Sequence, residues 1–395
     1  MYLIIDASAV NLCPAEDEDE LAAIYHCLGM LKADKGEVDE AIALYNQSLE
    51  LKERIGDVQG KAATLHQLGS LYANKGEVDE AIALFNQSLE ITERIGNVQT
   101  KAATLHNLAI LYANKGDADE AIALYNQSLE IFDRIGNVQG KAATLHNLAI
   151  LYANKGDVDE AIALYNQSLE ITERIGDVQT KAATLHCLGI LYANKGEVEE
   201  AIALYNQSLE ITERIGNGQG KAATLHCLGL IYANKGEVDE AIALYNQSLE
   251  IKERIGDVQG KAATLHQLGM MIYANKGEVE QVIALYNQSL EIFDRIGNVK
   301  SQADALHNLA ILYANLGKVK DAIALFNQSL EIKERIGDVQ GKAMTLWWLG
   351  DLAEQQGEYT KAISYLQPAL EILQRLKSPD AESVSASLDR IMGNS

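Results

Sequence analysis

The chain has 395 residues, a formal net charge of −23 and 48% apolar residues. That balance supplies a sizeable core and excludes the basic surfaces that nucleic acid and anionic membranes recruit. Three prolines (Pro14, Pro368, Pro379) leave the middle of the chain open to long helices. Four cysteines (Cys13, Cys27, Cys187, Cys227) give neither a disulfide framework nor CxxC metal spacing, and fit a reducing cytoplasm.

Residues 1–14 fit no repeat. Met1 to Val10 is apolar but short, carries Asp6 and lacks a basic leader, so it reads as neither a signal peptide nor a membrane span. A short lid or the scar of a larger parent protein are the expected readings, with any strand confined to residues 2–5. Glu16 to Glu20 then places five acids in the first turn of a helix, where the helix dipole favours them.

From residue 15 to 377 the chain repeats with a period of 40. AIALYNQSLE begins at Ala41, Ala121, Ala161, Ala201 and Ala241, and KAATLH at Lys61, Lys101, Lys141, Lys181, Lys221 and Lys261. Nine units result, near 15–55, 60–95, 100–135, 140–175, 180–215, 220–255, 260–296, 301–336 and 341–376. In Lys61 to Asn74, Leu65, Leu68, Gly69 and Tyr72 form one helical stripe, and Gly76 supplies the stop. Val78 to Ile95 is a second helix with two apolar rows: Ala81, Leu84, Ser88, Ile91 and Ile82, Phe85, Leu89. So wide an apolar arc must touch neighbours on two sides. Gly96 ends that helix, and Asn97, or Asp57 one unit earlier, is placed to cap the next. No unit buries its own faces alone, so the units must stack into an α-solenoid.

The signature residues Leu65, Leu68, Gly69, Tyr72, Ala81, Phe85 and Ser88 resemble those of the tetratricopeptide repeat (TPR) family. The family's period is about 34 residues. Here the second helix instead runs on through Glu93-Arg94-Ile95-Gly96, with no proline after it. This longer form resembles Pins/LGN-type scaffolds, kinesin light chains and bacterial, especially cyanobacterial, TPR proteins. The resemblance implies an all-α, right-handed superhelical α-solenoid of nine helix pairs, whose first helices line a concave groove that binds peptides or protein segments.

All eight histidines share one repeat position: His26, His66, His106, His146, His186, His226, His266 and His307, with Trp347 in the last unit. By the resemblance they face the groove, with Asn74, Asn114, Asn154, Asn194 and Asn234 two turns further along the same helices. One histidine per helix is a poor metal shell, because packed helices stand about 8–10 Å apart and metal–nitrogen bonds are near 2 Å. No carboxylate recurs beside the histidines, and no nucleophile–base arrangement or phosphate-cradling loop occurs. The expectation is no catalytic residue, no metal and no cofactor. Two readings of the histidines stand: a polar ladder for a partner's backbone, or side chains bonded within the solenoid. An accessible ladder would titrate around pH 6.5, and binding of a neutral or basic partner would weaken below about pH 6.

The residue after each histidine varies (Cys27, Gln67, Asn107, Asn147, Cys187, Cys227, Gln267, Asn308, Trp348), as does the one three further on (Met30, Ser70, Ile110, Ile150, Ile190, Leu230, Met270, Ile311). These share a helix face. Either they tune a ligand surface, with Asn107, Asn147 and Trp347 among the contacts, or they drift freely. The Lys61-type and Lys75-type lysines read as solvated helix ends. Trp347 and Trp348 read first as a plug for the last unit.

His266 to His307 spans 41 residues instead of 40, because Met270-Met271-Ile272 replaces Leu230-Ile231. An extra residue turns a helix by about 100°, so a π-type turn or kink is predicted at residues 268–274, with a changed angle between units. Val282 in place of the usual alanine predicts a shifted pair. At the end, Ser378 and Pro379 start a capping helix in which Val384, Leu388 and Ile391 form an apolar stripe, within a cap and tail at 378–395. The function expected is a cytoplasmic scaffold that binds a protein or peptide. The alternative is a peptide-sensing regulatory module of a bacterial signalling protein.

Overall fold

The computed structural model describes residues 17–393 except Gly277, with residues 273–276 described by backbone only. The expectations for residues 1–14 lie outside the described residues. Among these there are nineteen α-helices and no strand. The first helices of the nine pairs are α1 (Glu18–Asp34), α3 (Val58–Lys75), α5 (Val98–Lys115), α7 (Val138–Lys155), α9 (Val178–Asn194), α11 (Gly218–Asn234), α13 (Val258–Lys276), α15 (Val299–Asn315) and α17 (Val339–Gln355). Their partners are α2 (Val38–Ile55), α4 (Val78–Ile95), α6 (Ala118–Ile135), α8 (Val158–Ile175), α10 (Val198–Arg214), α12 (Val238–Ile255), α14 (Val279–Arg295), α16 (Val319–Ile336) and α18 (Tyr359–Arg375). A last helix, α19 (Asp380–Gly393), covers the final pair. The chain divides into two bodies, residues 1–204 and 205–395.

The boundaries follow from local chemistry. Gly96 ends α4 with φ +72°, a left-handed conformation that is cheap only for glycine, and the Asn97 amide reaches back to the Thr92 carbonyl at 2.9 Å. The Asn97 Oδ1 then accepts from the Thr100 amide at 3.1 Å and starts α5. Asp57 caps α3 in the same way through Gly60. Each pair closes on small residues. Ala81 and Ser88 are fully buried, and the Ser88 hydroxyl donates to the Ala62 carbonyl at 2.9 Å. Gly69 leaves room for Phe85, since a Cβ there would stand 2.8 Å from the ring.

The π-turn does not form. α13 runs as one unbroken α-helix through the extra residue. In the regular unit the residue three after Leu68, Leu71, is buried; after Leu268 the deeply buried residue is the fourth, Ile272, with Met271 only half-buried. Positions i+3 and i+4 lie on the same side of a helix, so the core face swings and keeps its bonding intact. Met271 packs against Ala241 and Tyr245, whereas Ile272 turns to Val282 and Tyr286. Val282 is fully buried, and the Ser289 hydroxyl bonds back to the Tyr286 carbonyl at 2.8 Å instead of crossing to α13. What differs in this pair is thus the bond made by its buried serine. The placement of Tyr273 and Asn275 lies outside the described side chains.

Candidate functional site

The first helices carry the candidate residues, and a threonine from the next unit organises them. The Thr104 hydroxyl donates to the Thr100 carbonyl at 2.8 Å, spending its one proton. Its oxygen must then accept from His66 Nδ1, 3.0 Å away. The proton sits on Nδ1, and Nε2 presents a lone pair, towards which Asn107 Nδ2 donates at 3.5 Å. The bonds repeat at His106, with Thr144 at 2.8 Å and Asn147 at 3.3 Å. His26, His146, His226 and His307 also meet the threonine of the next unit, at 2.9–3.2 Å.

Each ring also leans on its own unit's aromatic residue, His66 on Phe85 at 5.4 Å and His106 on Tyr125 at 5.7 Å. The histidines are thus half-buried seam residues. Burial pushes His66, His106, His146 and His226 down to about 4, with Lys252 adding to the shift at His226. His186 and His266 are lowered for the same reason. Of the two readings of the histidines, these bonds match the one in which the side chains bond within the solenoid, and the neutral form is the buried, hydrogen-bonded one.

Trp347 packs in the cluster that α19 completes with Val384, Leu388 and Ile391, while Trp348 stacks on Phe326 at 6.0 Å. The Lys75-type lysines are not simply solvated. Lys115 pairs with Asp79 at 3.2 Å and Lys155 with Asp119 at 3.1 Å, joining successive units. Lys101 of the other set pairs with Glu93 at 2.9 Å.

Away from the lysines at their ends, the first helices from α3 to α11 present mostly neutral side chains along the stripe of the histidines. Asn74, Asn114, Asn154, Asn194 and Asn234 stand in solvent at one repeat position. A turn earlier lies an aliphatic row, with Ile150 and Ile190 more than a third exposed and Ile110, Leu230 and Ile311 half-buried. Two sets of seam residues escaped the sequence reading. One is the threonine hub, legible as the invariant Thr of KAATLH. The other is a trio of buried lysines, Lys52, Lys252 and Lys333, whose amines meet Thr64, Thr264 and Thr345 at 2.9, 2.8 and 3.4 Å. Among the described residues no cluster of three His, Cys, Asp or Glu is placed to hold a metal, and no helix is long and apolar enough to cross a membrane.

Family models for the tetratricopeptide repeat match residues 20–94, 100–174, 180–254, 220–294 and 260–335, and a second such model matches 345–372. A search of curated proteins finds no match. Among solved structures, BtubC (BKLC) from P. vanneervenii is 22% identical with a TM-score of 0.50, over 56% of this chain and 92% of that one. A signal-transduction ATPase with a tetratricopeptide repeat sensor, from Pyrococcus horikoshii, matches over 96% of this chain and 55% of its own, at 16% identity and a TM-score of 0.71. The apo quorum sensor NprR from B. thuringiensis matches over 82% of this chain and 91% of its own, at 16% identity and 0.63. At these identities the likeness is one of fold.

Proposed function

Because the chain belongs to the tetratricopeptide repeat family, we propose that it is a protein-interaction scaffold that holds an extended or helical segment of a partner along its first helices. One observation carries the reading. Within each body, first helices touch the first helices of neighbouring units, as α3, α5, α7 and α9 do in one and α11, α13, α15 and α17 in the other. That layer is the more closely stacked, and it exposes asparagine amides beside an aliphatic row. Amides pair with a backbone whatever its sequence, and aliphatic positions take side chains. The histidines serve this face from behind, fixing the spacing of the helices that carry it.

The test is selection of a random-peptide phage library on the whole chain, with affinities of selected synthetic peptides measured for the wild type and for Asn114→Ala/Asn154→Ala/Asn194→Ala. These side chains are exposed, so melting should be unchanged. A loss of roughly tenfold or more, about one or two hydrogen bonds' worth, is expected. Equal binding to the triple variant would remove this face from the interaction.

A further inference from the structure

We infer that Asp304 is a specificity-determining residue, taking a cationic group of the bound segment. The inference rests on the groove reading above and adds what the segment must carry. In all seven preceding units the corresponding residue is alanine: Ala23, Ala63, Ala103, Ala143, Ala183, Ala223 and Ala263. Asp304, His307, Asn308 and Ile311 fall at i, i+3, i+4 and i+7 on α15, the stripe that carries the candidate groove residues. From the second unit to the eighth, the positions of Ala63, His66, Gln67, Ser70 and Asn74 otherwise hold only neutral residues. A single carboxylate, 49% exposed, stands there on a neutral aliphatic background.

Two further features set the place apart. Ala305 stands where the hub threonine belongs, so the buried Nδ1 of His266 has no hydrogen-bond partner, while Asn308 holds its Nε2 at 3.1 Å. The seam is polar but incomplete beside Asp304. Lys333, only 3% exposed, forms an ion pair with Asp304 Oδ1 at 3.6 Å, just beyond direct hydrogen-bond range. Burying a lysine here does not require that carboxylate. Lys52 and Lys252 are buried comparably with Ala23 and Ala223 at the corresponding position. Half of the Asp304 side chain stays exposed beside that buried amine, and a carboxylate can accept from more than one donor, so it suits an additional ammonium or guanidinium brought in by the ligand.

The experiment uses peptides selected on the wild-type chain from the random-peptide library, synthesised with free and with acetylated N-termini. Asp304→Ala restores the residue of the other units, and Asp304→Ala/Lys333→Thr also restores the threonine found at Thr92, Thr172 and Thr212, so a stranded lysine cannot explain a loss. Expected are selected peptides with Lys or Arg at one fixed position, and roughly tenfold weaker binding to both variants, whether or not the terminus is acetylated. A loss confined to free-amine peptides would support the same cation site with the terminal ammonium as its source. Binding within twofold of wild type for both variants, by peptides that still weaken on Asn234→Ala/Asn315→Ala in the same body, would overturn the assignment of Asp304 and leave the groove reading standing. Insensitivity to Asn234→Ala/Asn315→Ala as well would remove both.

Discussion

The third and fourth units, α5 to α8, and the seventh and eighth, α13 to α16, are built from nearly the same words but are joined differently. In the first region Ser128 and Ser168 tie their helices to Ala102 and Ala142 at 2.9 Å, and His106 is held by Thr144 and Asn147. In the second, Ser289 bonds within its own helix, Val282 replaces alanine, and His266 lacks its threonine. The helices survive in both. The bonds across the seams therefore do not make the helices; they set how one unit sits on the next. An insertion of one residue is absorbed by exchanging Leu71-like burial for Ile272, while Ala305, in place of the hub threonine, leaves the seam one bond short.

Acid is the strongest way to stress that difference. His26, His66, His106, His146 and His226 are held at about 4 and His307 at about 3, below the unfolded value near 6.5. Between those values the unfolded chain binds more protons than the folded one. This contribution to stability is therefore fully present above about pH 6.5 and is lost as pH falls towards 4. Each well-buried ring contributes on the order of 1 kcal/mol or more, and His26, the least buried, contributes less. Melting temperature should fall steadily from pH 7 to pH 4.5, while the imidazole resonances of the folded protein show no midpoint near 6.5. Such midpoints would place the rings in solvent and undo the seam description.

A smaller effect converts one region into the other. Thr144→Ala should strand the Nδ1 of His106 as Ala305 strands that of His266, costing about 1–3 kcal/mol for an unsatisfied buried donor. Ala305→Thr should do the reverse, stabilising by about 1 kcal/mol if the seam still closes to hydrogen-bond distance. Denaturant midpoints at constant m-value measure both. No gain from Ala305→Thr would mean that the insertion has moved α13 away from α15, and that the orphaned nitrogen reflects displacement rather than a missing hydroxyl.

The sequence carried the fold because its local signals recur unit after unit: the stripe, the left-handed glycine after the first eight second helices, the Asn or Asp cap of all nine first helices. Along α13 it misled, because an added residue suggested a broken ladder when a change from i+3 to i+4 burial sufficed. The histidines were read correctly as a row, yet their partners lie 38 residues away in the next unit, and only stacking brings His66 to Thr104. Lys52 sits among residues that look exposed and is nevertheless buried, since the threonine that receives its amine is also on another helix. Pairings within a unit were legible; pairings between units required the distance between helices.

The smallest expected effect concerns the outer ladder of charges. Lys155 reaches Asp119 of the preceding unit at 3.1 Å, but the aspartate side chain is 98% exposed and the lysine more than a third exposed. In high dielectric such a pair gains little Coulomb energy, loses side-chain freedom and is screened by salt, so its worth is about 0–1 kcal/mol. Lys155→Met keeps most of the aliphatic stem and removes only the charge. It should shift the denaturant midpoint barely, and less in high salt than in low. The seventh unit offers the contrast, since its second helix has Gln281 and Glu280 in the first turn rather than an Asp–Glu pair. If Lys155→Met cost as much as Thr144→Ala, the surface ladder and not the buried histidine–threonine seam would be what holds successive units in register.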